Sequence, residues 1–190
     1  MEAVEDLKYS PDGTLLAVAA RDNIIYVFDI GANVGKSKGS SSYLNLRGRC
    51  LGHTSYVTHV DWSADSRLLQ SNCGSYEIIY WDARRCRALR STRDRIEADA
   101  KWDKFTCVLG FPVMGIWPDD SDGTDVNALQ ISPCGDYVVT ADDFGAVKIF
   151  NAPCVVEDAP ARFGTGHSSH VGNVRFLSRH DSQPEYRVVR

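Results

Sequence analysis

The sequence, 190 residues long, predicts an all-β fold of repeated units with short strands. The first observation is self-similarity. "SPDGTLLAVAARDNIIYVFD" (Ser10–Asp29), "SADSRLLQSNCGSYEIIYWD" (Ser63–Asp82) and "SPCGDYVVTADDFGAVKIFN" (Ser132–Asn151) align so that the opening Ser precedes the closing aromatic by 18 residues in each: Ser10 and Phe28, Ser63 and Trp81, Ser132 and Phe150. The second is that the register extends backward. Val4, Val57 and Val126 lie six residues before that Ser, Leu7, Val60 and Leu129 three before it, and Tyr9, Trp62 and Ile131 one before it. The third is local chemistry: "SPDG", "SADS" and "SPCG" form turns between runs rich in β-branched and aromatic residues. Several matching columns in three copies exclude coincidence and mark a repeat architecture.

In chain order, "LLAVAA", "LLQSNC" and "YVVTAD" read as the strands after the turn, and "IIYVFD", "EIIYWD" and "AVKIFN" as the strands that follow them. A fourth copy starts at "HVGNVRFLSRHD", with Val171, Val174 and Phe176 in the same places, and runs to "YRVVR", Tyr186 to Arg190. Gly52-His53 and Gly166-His167 each stand four residues ahead of a first Val. Four-stranded units led by Gly-His and closed by Trp-Asp, as at Trp81-Asp82, resemble the blades of WD-repeat propellers. The expected fold is an all-β, partial WD-repeat β-propeller of three full blades plus the start of a fourth, at about 1–47, 52–90, 126–163 and 167–190. Rings close with roughly four to eight blades. An open stack exposes a blade face and strand edges, so pairing with missing blades or self-association is expected.

The WD-repeat resemblance implies a buried hydrogen-bonded set of the Gly-His histidine, a hydroxyl on the second strand, a turn Asp and the closing Trp. The second copy offers His53, Ser71 and Trp81, with Ser75 or Glu77 where the Asp would stand. The third offers Thr140 and Asp142 or Asp143, has no Gly-His, and ends in Phe150. The first has Asp22 and Phe28 but Val18 in place of the hydroxyl. His167 is expected as the blade histidine of the fourth copy.

Composition bounds the function. Hydrophobic residues make up 43% and charged residues 24%, enough to bury a core. A net charge of -4 gives no general argument for nucleic acid or an anionic membrane, and neither is expected as partner. Met1 to Pro11 contains no apolar signal region, and the longest uncharged run, "FTCVLGFPVMGIWP" (Phe105–Pro118), has 14 residues. A membrane span needs roughly 20, so this run reads as buried core. Six scattered cysteines without a C-x-x-C pair predict a reduced, cytoplasmic protein with mostly buried free thiols.

Two insertions stretch the repeat beyond the roughly 40–45 residues of a plain blade. "GANVGKSKGSSS", 31–42, is Gly/Ser-rich and reads as a mobile loop. The second spans about 84–125. Its first half, Arg84 to Lys104, carries eight Lys/Arg and four acids and reads as a solvated strand edge or a short helix starting near Ser91, or as a docking strip for an acidic surface. Its second half carries Cys-Val-Leu-Gly-Phe, then Gly-x-Trp-Pro, then Asp-Gly-Thr-Asp ahead of a blade. With "GSYEIIYWD", "ADDFGAVKIFNAPC" (Ala141–Cys154) and "GHSSHVGNVRF" (Gly166–Phe176), this stretch resembles the echinoderm microtubule-associated protein-like family over about Gly52 to Phe176.

That resemblance implies the last blades of the second of two tandem propellers and a non-catalytic scaffold of the cytoskeleton. Tubulin or microtubules would be the partners of the parent protein. It implies no cofactor. The repeat alone equally allows a general WD-repeat adaptor, for instance in a ubiquitin ligase or trafficking complex. An enzyme would need another site, such as a metal held by Asp120, Asp122 and His59.

Other motifs lead nowhere by spacing. Setting Gly123 at position 6 of a calcium loop puts Pro118 and Leu129 at ligand positions, so "PDDSDGTD" reads as an acidic turn. Cys50 with His53, and His167 with His170, lack the second half of a four-ligand zinc site, and no metal is expected. Tyr9, Trp62 and Phe176 follow strand period and read as core. Partner contacts are expected from loop residues Tyr56, His59, Tyr76, Glu77 and Trp117, and from Arg84 and Arg85.

Overall fold

A computed structural model describes residues 2–31, 44–90, 96, 100–117, 121–123 and 125–177, and the backbone of 187–189. Nearly all of the 31–42 insertion, the helix expected from Ser91 (except Ile96) and Asp120 fall outside these residues. The chain divides into two compact units, Met1–Asp103 and Lys104–Arg190.

The first unit holds two four-stranded antiparallel sheets. One is β1 (Val4–Tyr9), β2 (Leu15–Ala20), β3 (Ile24–Ile30) and β4 (Leu44–Leu51). The other is β5 (Val57–Trp62), β6 (Leu68–Cys73), β7 (Ile78–Asp82) and β8 (Arg87–Ala88). The second unit holds a third such sheet, β9 (Val126–Ile131), β10 (Tyr137–Asp142), β11 (Val147–Asn151) and β12 (Arg162–Gly164), then a two-stranded piece of β13 (Arg175–Leu177) and β14 (Arg187–Val189). Four-stranded meanders repeated in this way are propeller blades, and the fold is an all-β, partial WD-repeat propeller.

The repeated serines explain why each copy turns where it does. The Ser10 hydroxyl accepts the Leu15 amide at 2.9 Å, Ser63 accepts that of Leu68 at 2.8 Å, and Ser132 accepts that of Tyr137 at 3.0 Å. All three serines are buried. The next column also has a backbone cause, since Gly13, Ser66 and Gly135 adopt positive φ of 69°, 60° and 81° to close the turn.

Within the first unit, apolar faces of the two blades share one core containing Leu15, Ile25, Val27, Val57, Val60, Trp62, Leu69 and Trp81. A charged seam crosses this junction. The Lys8 ammonium donates to the Val60 carbonyl at 2.7 Å and pairs with Asp6 at 2.9 Å and Asp61 at 3.0 Å. Asp61 is fully buried, and its second oxygen accepts from the Gln70 amide at 3.0 Å. The Trp62 indole donates to the Lys8 carbonyl at 2.8 Å, and Asp6 accepts the Val60 amide at 3.0 Å.

Two expectations of burial need correction. Tyr9 is 61% exposed, whereas its counterpart Trp62 is buried. Trp62 packs on the preceding blade, and the described residues of Tyr9's unit put no sheet on its corresponding side. The apolar run Phe105–Pro118 is core only in alternate pieces. Phe105, Cys107, Val108, Val113 and Ile116 are buried, but Phe111 and Met114 are 65% and 56% exposed. A 3₁₀ helix, Phe111–Ile116, causes the split, because its short turn points residues to both sides. It is anchored by Gly115 N–H to Cys154 O and Cys154 N–H to Pro112 O, both 2.8 Å. A Cβ at Gly115 would collide with the Val156 carbonyl, so only glycine permits this approach.

Candidate interaction surface

The second blade assembles the polar set around His53. The loop after β4 carries His53 into the sheet, where its Nε2 lies 2.6 Å from the Ser71 hydroxyl on β6. The Trp81 indole N–H on β7 donates to the same hydroxyl at 2.8 Å. All three side chains are buried, and the His53 and Trp81 rings lie 5.7 Å apart. At the other end, His53 Nδ1 is 3.4 Å from Glu77 Oε2. That oxygen also accepts the Thr54 amide at 2.9 Å and the Cys73 thiol at 3.2 Å. Of the two residues considered for the Asp position, Glu77 is the one that contacts His53. Its longer side chain reaches back from beyond a turn where Tyr76 adopts φ 60°.

The electrostatics follow from these contacts. Hydrogen bonding from the Thr54 amide, with help from Cys73 and His53, holds the Glu77 carboxyl down at about 2 against burial. Burial lowers the His53 pKa, opposed by Glu77. Burial raises the Cys73 thiol.

The third blade does otherwise. Thr140 and Asp142 are buried. Asp142 Oδ1 accepts the Phe144 and Ala146 amides at 3.0 and 2.8 Å, and Oδ2 pairs with Lys148 at 3.0 Å. No Gly-His histidine precedes this copy to meet the acid, so the aspartate orders its own turn. His167 is exposed, not part of a buried set. At the spacing that joins His53 to Ser71, His167 would meet Glu185, which lies outside the described residues and carries no hydroxyl.

Strand alternation divides the expected contact residues between two edges of the first unit. Loops after β2, β4 and β6 share one edge, which carries Arg21, Tyr56, Tyr76 and Glu77. The Arg21 guanidinium lies over the Tyr56 ring, 5.6 Å from its centroid, and pairs with Glu5. Tyr56 and Tyr76 are exposed. Turns after β5 and β7 lie at the opposite edge, where Arg84 approaches Asp12 at 3.9 Å and Arg85 pairs with Asp82 at 3.2 Å. His59 is half-buried within β5, away from both edges. In the second unit, Trp117 is half-buried and its indole donates to the Val108 carbonyl at 3.2 Å, bracing its own insertion.

The pairs considered for metals do not converge. Cys50 is buried on β4 with its thiol hydrogen-bonded to Cys86, which with burial pushes Cys50 far up. His167 and His170 are exposed, and His170 Nδ1 sits 3.2 Å from Ser169 Oγ. Asp122 and Asp125 close a turn, each amide donating to the other residue at 2.9 Å.

Sequence reasoning missed Lys8, Asp61, Thr54 and Cys73. Lys8 and Asp61 stand out in no shared column of the repeat. Cys73 and Glu77, by contrast, flank one tight turn, a spacing that hairpin geometry brings together.

Comparison with known proteins agrees with the architecture. Residues 1–183 match the family model described as the echinoderm microtubule-associated protein second beta-propeller. Over 176 residues the chain is 45% identical to human echinoderm microtubule-associated protein-like 3, covering 92% of this chain and 19% of that protein. It is 44% identical over 176 residues to rat echinoderm microtubule-associated protein-like 2, covering 93% and 26%. It is 45% identical over 170 residues to the 77 kDa echinoderm microtubule-associated protein of the sea urchin Lytechinus variegatus, covering 90% and 24%. The chain thus spans about a fifth to a quarter of the length of these relatives. Its repeat columns, its meander sheets and this match over nearly the whole sequence place the chain in the echinoderm microtubule-associated protein family, within the second β-propeller.

Proposed function

We propose that this chain is part of a non-catalytic, cytoplasmic WD-repeat scaffold that works on the cytoskeleton by binding microtubules or soluble tubulin. The observation that carries the reading is the match over residues 1–183, together with relatives about 45% identical whose names say microtubule-associated. The non-catalytic part is supported by the second blade, where His53, Ser71 and Glu77 hydrogen-bond with neighbouring groups that fix the fold. Partner contact is assigned to the edge carrying Arg21, Tyr56 and Tyr76. Exposed tyrosines beside an arginine give broad contact area at low entropic cost.

Co-sedimentation with microtubules and a soluble-tubulin pull-down, run on this chain and on the longer parent, test the reading. The parent is expected to bind, and Tyr56→Ala with Tyr76→Ala in the parent to weaken binding roughly 5- to 30-fold. A parent that binds neither form of tubulin overturns the cytoskeletal assignment and favours the general adaptor.

A further inference from the structure

We infer that His53, Cys73 and Glu77 form a zinc-binding site at the rim of the second blade, a ligand set different from the Cys50–His53 and His167–His170 pairs that the sequence spacing set aside. A ligand atom of each residue, an imidazole nitrogen of His53, the Cys73 sulfur and a Glu77 carboxylate oxygen, lies within 4.8 Å of the other two. Glu77 Oε2 stands 3.4 Å from Nδ1 and 3.2 Å from Sγ. A tetrahedral zinc ion with bonds of about 2.0–2.3 Å separates its ligand atoms by about 3.3–3.7 Å. Both distances to Glu77 lie close to that range, and the three groups need only close around the ion. Nitrogen, sulfur and oxygen donors together suit a borderline-soft ion, not calcium or magnesium.

The surroundings are built to accept the ion. Zinc needs the Nδ1 lone pair, so the imidazole proton must sit on Nε2. There it donates to Ser71 Oγ at 2.6 Å, while the Ser71 O–H turns to the Ile79 carbonyl at 3.3 Å and the Trp81 indole keeps its bond to Oγ. Every buried partner stays satisfied when the ion enters. The step balances simply: Zn²⁺ displaces one proton from the Cys73 thiol, and the neutral imidazole only exchanges tautomer. Thiolate and carboxylate then neutralise the two positive charges. Glu77 remains 31% exposed and lines a cleft of about 460 Å³ with Gly52 and Tyr76, so an ion would enter past its carboxylate, and a water would complete four-coordination.

The test uses the full chain, reduced and stripped of metal, titrated with Co²⁺ and followed by absorption. One equivalent is expected to raise a thiolate-to-cobalt charge-transfer band with tetrahedral d–d bands, and Zn²⁺ to displace both. Cys73→Ser, checked for fold by circular dichroism, is expected to lose the charge-transfer band. Cys134→Ser, which removes an exposed thiol, is expected to keep it. Glu77→Gln retains the thiol and is expected to bind at least about tenfold more weakly. No band in the unsubstituted chain, a full band in Cys73→Ser, or unchanged affinity in Glu77→Gln overturns the site.

Discussion

At the scale of single residues, the Ser71 hydroxyl ties three elements of the second blade together. It accepts from the Trp81 indole and meets His53 Nε2, all in a buried setting. Ser71→Ala leaves an indole N–H and an imidazole nitrogen without a partner and is expected to cost about 2 kcal/mol or more. A lowered urea midpoint with unchanged slope checks this. Acid should find the same network. Burial lowers the His53 pKa below its ordinary 6.5, so the unfolded chain takes up that proton first and stability falls as pH drops below about 6.5. Glu77 has its pKa held from 4.5 down to about 2, so its contribution is present above 4.5 and is lost between 4.5 and 2. Glu77→Gln should flatten the lower part of a stability-versus-pH curve measured by denaturant titration and steepen the upper part, since it removes the carboxylate that opposes the lowering of the His53 pKa.

At the scale of elements, the serine-headed turn was the most legible feature. A buried hydroxyl accepting an amide five residues on constrains both residue type and spacing, so Ser10, Ser63 and Ser132 align in the sequence. The His53, Ser71 and Trp81 positions were legible for the same reason, since their geometry follows strand register. Glu77 was only half legible, because a side chain longer by one methylene reaches the histidine from a different place on the turn. The Asp142 pairing with Lys148 was hidden, since it replaces the usual partners with a cross-strand ion pair inside one blade. The docking of the 3₁₀ helix depends on a backbone approach that no periodicity announces. Gly115→Ala is expected to lift that helix off Val156 and to cost about 1–3 kcal/mol. Gly172→Ala meets nothing within 4 Å and serves as the control. Thermal melts of the two variants, with proteolysis near residue 115, distinguish them.

At the scale of the whole molecule, a quasi-one-dimensional repeat is stabilised by contacts between neighbours, as the shared core of the first two blades shows. The first blade leaves Val4, Leu7 and Tyr9 exposed along β1, an apolar row of the kind that a further sheet covers elsewhere in the repeat. The chain by itself is therefore expected to associate as its concentration rises, and light scattering across a dilution series would record the change in mass. Tyr9→Ser with Leu7→Ser should shift that series toward the monomer.

The Lys8 seam bears on a different problem. Near-copies of one motif emerge in sequence from the ribosome, and apolar faces alone discriminate poorly between them. An ammonium clasped by Val60 O, Asp6 and Asp61 makes a mismatched neighbour costly, because a wrong partner would take away the Val60 carbonyl and Asp61 and leave the cation only Asp6 of its own strand. Those contacts act as a password between the first and second blades. Replacing both partners, Lys8→Met with Asp61→Leu, should leave a junction of comparable strength but poorer fidelity, visible as a larger misassembled fraction after rapid refolding, whereas Lys8→Met alone strands the buried Asp61 and should lower the melting temperature.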